Sequence, residues 1–114
     1  MSKLVIVESP FAAPTAALQQ RHKEYARAAL ADALSRGEAP FASHLLYTQP
    51  GVLDDDVPEE RAQGIAAEFA WMQRADYSVV YQDLGISGGM RQGIGAAYRV
   101  GLEVVYRSIE GWKK

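Results

Sequence analysis

Cysteine is absent from this 114-residue chain, which excludes disulfides, thiolate nucleophiles and cysteine-held metals and fits a reducing compartment. Long apolar runs are also missing. The first, Leu4-Val5-Ile6-Val7, is too short for a signal peptide, and nothing approaches the length of a membrane span. Clustered charge of one sign is lacking too. The 12 Lys and Arg are scattered from Lys3 to Lys114 and the formal net charge is −2, so a polymeric nucleic acid finds no electrostatic footprint. No repeat or low-complexity segment interrupts the chain. What remains, 48% hydrophobic and 23% charged, is the composition of a globular protein. The length suits one domain over residues 1–114, expected to be soluble and cytoplasmic.

Hydrophobic patterning divides the chain into alternating elements. Leu4 to Val7 is a largely β-branched run stopped by Glu8-Ser9-Pro10, the signature of a central strand buried on both faces. From about Pro14 to Arg36, the residues Leu18, Tyr25, Ala26, Ala29 and Ala33 recur at helical spacing and Gly37 follows as a C-cap. Pro40 to Ser43 predicts a short second strand, and His44 to Val57 a loop containing the turn signal Pro50-Gly51. Asp56 and Glu59 have capping-box spacing ahead of a helix carrying Ile65, Phe69 and Met72 to about Arg74. Tyr77 to Tyr81 is a third strand. Gly85 to Gly89 is a turn with Ser87 as N-cap to a third helix reaching Gly101, Leu102 to Tyr106 a fourth strand, and Ile109 to Lys114 a tail. This alternation predicts an α/β fold: a small, doubly wound, Rossmann- or flavodoxin-like parallel sheet of four to five strands, in order 2-1-3-4, with helices on both faces. So narrow a sheet leaves helix faces uncovered, and homo-oligomerisation through helices is expected, with Trp71 a candidate contact.

In such sheets ligands bind beyond the carboxyl ends of the strands, which directs attention to Glu8, Ser9, Pro10 and Phe11 after the first strand, to His44 after the second, and to Asp83 and Gly85 to Met90 after the third. The glycines Gly85, Gly88 and Gly89 let backbone approach a ligand, while Ser87 and the helix N-terminus offer donors to a phosphate or ribose hydroxyl; the same residues also serve as a plain N-cap and turn. His44 suits stacking on a base or proton transfer, or a bond to loop backbone. Asp83 suits sugar hydroxyls or a turn. Glu8 suits a general base or sugar ligand, or else an ion pair with Arg91 or Arg107. Tyr47 is placed to close over a base. Asp54, Asp55, Asp56, Glu59 and Glu60 match no calcium loop and are accounted for by capping and solvation, so neither a metal nor a cofactor is expected.

Four stretches together carry a resemblance: Val5-Ile6-Val7-Glu8-Ser9-Pro10-Phe11, Gly37 to Tyr47, Pro58 to Ile65, and Gly85-Ile86-Ser87-Gly88-Gly89-Met90. They resemble the nucleoside 2-deoxyribosyltransferase-like superfamily, particularly its small phage-associated members, which would place the protein in the host cytoplasm. The resemblance implies a doubly wound sheet, oligomeric assembly, and a pocket holding a nucleoside or nucleotide with its glycosidic bond over a catalytic glutamate. In the transferases that glutamate opens the third helix in a Glu-Ile/Leu-x-x-Ala arrangement. Aligning Ile94 and Ala97 puts Gly93 at its place, after Arg91 and Gln92. Transfer through a glycosyl-enzyme needs a carboxylate there. Three readings follow: a nucleotide-binding protein that sequesters or senses its ligand without transfer, with Arg91 and Met90 at the helix start near a phosphate; an N-glycosidase or deoxyribosyltransferase using a displaced carboxylate, Glu8 or Asp83, assisted by His44; or a structural, partner-binding protein with a vestigial pocket.

Overall fold

The computed structural model describes residues 2–112. Four strands, β1 (Leu4–Glu8), β2 (Ala39–Phe41), β3 (Tyr77–Tyr81) and β4 (Glu103–Arg107), form one parallel sheet in the order β2-β1-β3-β4. Four helices connect or flank them: α1 (Ala16–Ser35), α2 (Ser43–Leu46), α3 (Pro58–Met72) and α4 (Gly88–Arg99). The order expected from the alternation of elements is the one found. Strands β1 and β3 take the centre because their residues are apolar on both faces. Val5, Val7, Val79 and Tyr81 pack toward α1 residues Tyr25 and Ala29. Ile6 packs with Met72 of α3 and Ala96 and Ala97 of α4, and Val80 packs with Met90 and Ile94. A two-sided core needs continuous apolar strands rather than alternating ones, and both strands supply them.

The helix boundaries follow local chemistry. Thr15 caps α1 by accepting the Leu18 N–H at 3.2 Å, and Gly37, at φ +80°, takes the left-handed conformation that ends it. Ser87 caps α4 by accepting the Met90 N–H at 3.3 Å.

Three expectations are corrected. Ser43 and His44 open the four-residue helix α2 rather than a strand end and loop, because the Ala42 carbonyl accepts N–H groups from Leu45 and Leu46. Asp56 does not cap α3. Val57 occupies that position without a side-chain bond and Pro58 begins the helix, where a residue lacking an N–H costs nothing; Asp54 instead accepts the Asp56 N–H and Glu60 accepts that of Asp54. The segment after β4 is not a loose tail through Trp112: Ile109 and Trp112 pack on the α1 side of the core, with the Trp112 ring 4.9 Å from that of Tyr25. Trp71 is about half exposed, stacked on Phe41 at 4.8 Å. Among the described residues no helix is long and apolar enough to cross a membrane.

Candidate functional site

The direction in which strands are added reverses about β1: β2 lies on one side and β3 on the other. Connections therefore diverge at the carboxyl ends of β1 and β3, opening a crevice there. A cavity of about 320 Å³ occupies it, at the small end of the range of about 300–1,000 Å³ for small-molecule sites and large enough for a nucleoside.

Of the residues singled out from sequence, Glu8, Ser9, Phe11, His44, Tyr47, Ser87, Gly88, Gly89 and Met90 line this cavity. Pro10, Asp83, Gly85 and Arg91 do not. Asp83, considered above for sugar binding or catalysis, is spent on architecture: its Oδ2 accepts the Tyr25 hydroxyl at 2.6 Å and the Ile109 N–H at 2.9 Å, while its own N–H donates to the Tyr25 oxygen. Arg91 is exposed on the surface of α4. Arg107, weighed as a partner for Glu8, donates both terminal nitrogens to Glu38, at 2.7 and 3.0 Å.

Glu8 is the unusual member. It ends the central strand β1, is only 5% exposed, and its Oε2 has no hydrogen-bond partner among the described residues. Its carboxyl lies over the bare Cα of Gly93: a Cβ added there would overlap Oε2 and come within 2.7 Å of Cδ and 2.8 Å of Oε1. Only glycine leaves this room. Burial raises the Glu8 pKa well above the ordinary carboxylate value, and the neighbouring Glu68 carboxyl raises it further by hydrogen bonding and charge repulsion.

Opposite Glu8, the Ser9 Oγ and His44 Nε2 atoms lie 2.7 Å apart in a hydrogen bond whose direction depends on the tautomer. The His44 ring lines the cavity and is partly buried, and burial lowers its pKa from 6.5 to about 4, so at neutral pH it is an uncharged ring. Phe11 meets His44 edge-on, with centroids 6.2 Å apart, and Phe11 is itself placed by the bond between its carbonyl and His22 Nδ1, 3.0 Å apart. Tyr47, held by the Trp71 Nε1–H at 3.0 Å, completes an aromatic wall. Ser87, Gly88 and Gly89 bring the N-terminus of α4 to the other side.

Sequence reasoning missed the contribution of α3 and the preceding loop: Asp55, Glu60, Arg61, Gly64, Ile65 and Glu68 all line the cavity, as does Gln92. A signal for Glu68 was present, since it sits three residues after Ile65 and beside Phe69, on the stripe otherwise read as core. Gly64 lets this helix close on the loop, because a Cβ there would lie 3.3 Å from a Leu53 methyl. Among the described residues no group of three or more His, Asp or Glu side chains is placed to hold a metal ion.

A search of solved structures finds a 2-deoxyribosyltransferase from the psychrotolerant bacterium Bacillus psychrosaccharolyticus, with a TM-score of 0.62 and 21% identity, covering 97% of this chain and 76% of that one. The fold is thus that of the nucleoside 2-deoxyribosyltransferases. No curated protein sequence matches the chain. A family profile described as a domain of unknown function, DUF7768, matches residues 3–107, and the chain belongs to that family.

Proposed function

We propose that the cavity binds a nucleoside and breaks its N-glycosidic bond, with Glu8 as the carboxylate at the anomeric carbon. The observation that carries this reading is the overlap between Glu8 and the side-chain space of Gly93. The resemblance calls for a glutamate on α4 at that position; here the space where its side chain would begin holds a carboxyl delivered from β1. The apparent loss of the nucleophile is then a transposition. Asp83, bound to Tyr25 and Ile109, drops out as the alternative.

The chemistry follows from that carboxyl. The raised Glu8 pKa favours its protonated form, which can give a proton to the leaving base as general acid. As the C1′–N bond breaks, its electron pair goes to the base nitrogen and the proton follows. The carboxylate left behind stabilises the oxocarbenium-like centre or bonds to it. Water or a second base then takes C1′ and returns a proton to Glu8. Neutral His44 and the rings of Phe11 and Tyr47 form the wall for the base, and Ser87 with the Gly88 and Gly89 backbone faces the sugar hydroxyls.

The test is chromatography of released base after incubation with purine and pyrimidine nucleosides. Base release is expected from the native chain and loss of it from Glu8→Ala. Introducing Gly93→Glu into that variant should restore release, because removing the Glu8 side chain clears the space beside Gly93 and the helix then supplies a carboxylate. Undiminished release in Glu8→Ala would sink the assignment.

One observation favours a second reading. A carboxyl held protonated in a buried site is a weak nucleophile, which suits a protein that holds its ligand without cleaving it. Thermal stabilisation by nucleosides with no base released would select that reading. Assembly into homo-oligomers remains part of the proposal, through the exposed aromatic and aliphatic residues Trp71 and Leu46 beside β2, or Tyr98 and Tyr106 beside β4.

A further inference from the structure

Charge in and around the cavity is one-sided. Four carboxylates, those of Glu8, Asp55, Glu60 and Glu68, line it against a single cation, Arg61. That cation is already engaged, its Nε lying 4.0 Å from Asp55 Oδ1. A second, more open cavity of about 560 Å³ adjoins the first through shared walls at Phe11, Thr48, Leu53, Asp55 and Glu60, and adds Asp54 and Asp56. The adjoining surface is acidic as well. The N-terminus of α4 offsets this by roughly half a positive charge, too little to neutralise it even when Glu8 is protonated.

A ring of carboxylates by itself says little, since solvated acids are common. The second observation is the Glu8 Oε2 atom, which belongs to a cavity-lining side chain only 5% exposed and has no hydrogen-bond partner among the described residues. Its missing partner is something carrying positive charge or a donor. Beside it stand the aromatic groups Phe11, His44 and Tyr47, whose ring faces attract cations as well as flat bases.

We propose that the site selects nucleosides whose base carries a fixed positive charge, such as a pyridinium or N-alkylated purine riboside, over neutral nucleosides and over nucleotides. This rests on the nucleoside reading above and narrows its substrate class. A phosphate would bring negative charge among these carboxylates, and Arg91, the cation expected to meet it, lies outside the cavity. A cationic base also simplifies the reaction. When its C1′–N bond breaks, the electron pair neutralises the ring nitrogen, so the leaving group needs no proton. Water adds to C1′ and passes its proton to an ionised wall carboxylate, so the reaction needs no general acid. Acidic walls stabilise both the charged ground state that binds and the oxocarbenium-like centre that follows.

The matched probes are nicotinamide riboside, a cation, and its neutral 1,4-dihydro form, together with 7-methylguanosine against guanosine and nicotinamide riboside 5′-phosphate. Titration calorimetry with the full chain should show the cation of each pair binding roughly tenfold or more tightly than its neutral partner, and the 5′-phosphate more weakly than the riboside. Glu60→Gln, at a wall residue outside the proposed chemistry, should narrow the ratio. Equal or tighter binding of the neutral partners, with base still released from them, overturns this inference and leaves the proposed function standing. Binding of no nucleoside in either charge state overturns both. A 5′-phosphate that binds as well as the cationic riboside overturns the exclusion of nucleotides.

Discussion

Glu8 ends a strand of otherwise apolar residues, so folding takes an ionisable group out of water and sets it against Gly93 and Glu68. Its folded pKa lies above the unfolded value. Above the ordinary carboxylate range the unfolded chain has released a proton that the folded chain keeps, and stability falls as pH rises through that window. Glu8→Gln keeps the shape without the charge and should raise the melting temperature at about pH 8 while gaining little at about pH 4; equal gains at both would show that the carboxyl is not held protonated. His44 has the opposite sign. Its pKa is lowered to about 4 by burial, so the unfolded chain binds a proton first, and stability is lost as pH falls from the ordinary histidine range toward that value. The loss is on the order of 2 kcal/mol, less where cavity water screens the ring. Histidine C–H resonances should show one ring neutral through about pH 5, and its assignment to His44 is checked with His44→Gln. An ordinary titration midpoint for that ring would contradict its burial.

At the scale of elements, strands and long helices were legible because burial on both faces of the sheet and on one face of a helix leaves a pattern in the residues. Tyr77 to Tyr81 and the α1 stripe Tyr25, Ala26, Ala29 and Ala33 are instances. Short elements leave none: α2 is one turn built on Ala42 carbonyl bonds, and four residues hold no period. Half of the site was legible through strand-end position, which found Glu8, Ser9, Phe11 and the Ser87 turn. The face contributed by α3 was not, because a helix's placement over a crevice depends on packing that single-sequence periodicity does not report. Asp83 marks the converse failure, a strand-end carboxylate whose partners come from α1 and from beyond β4. Asp83→Asn and Tyr25→Phe should each cost about 1–3 kcal/mol in denaturant unfolding and couple in a double-mutant cycle, with base release at saturating substrate unchanged. Ser87→Ala removes the acceptor for the Met90 N–H and should cost about 1 kcal/mol. It should also weaken ligand binding, since the same turn lines the cavity.

For the molecule as a whole, the narrow sheet makes the covering of each face decisive. Helices α3 and α4 share one face, but α1 alone would leave the other incompletely covered near β3. Ile109 and Trp112 fill that place, the first also giving its N–H to Asp83. The family profile stops at residue 107, so a chain cut there would keep every strand and helix while losing this cover. Removing residues 108–114 exposes Tyr25 and takes one of two donors from Asp83, a cost of about 3 kcal/mol from lost aromatic packing and hydrogen bonding. For a chain of this length that lowers the melting temperature by on the order of 10 °C. Trp112→Ala in the full chain should reproduce most of the fall, and Lys113 and Lys114 removed alone should not. Because the cavity is built on the opposite side of β1 from Tyr25, by α3, α4 and the turn after β1, the shortened chain should still bind nucleosides at temperatures where it stays folded. An unaltered melting temperature would mean that the segment rests on the core without supporting it.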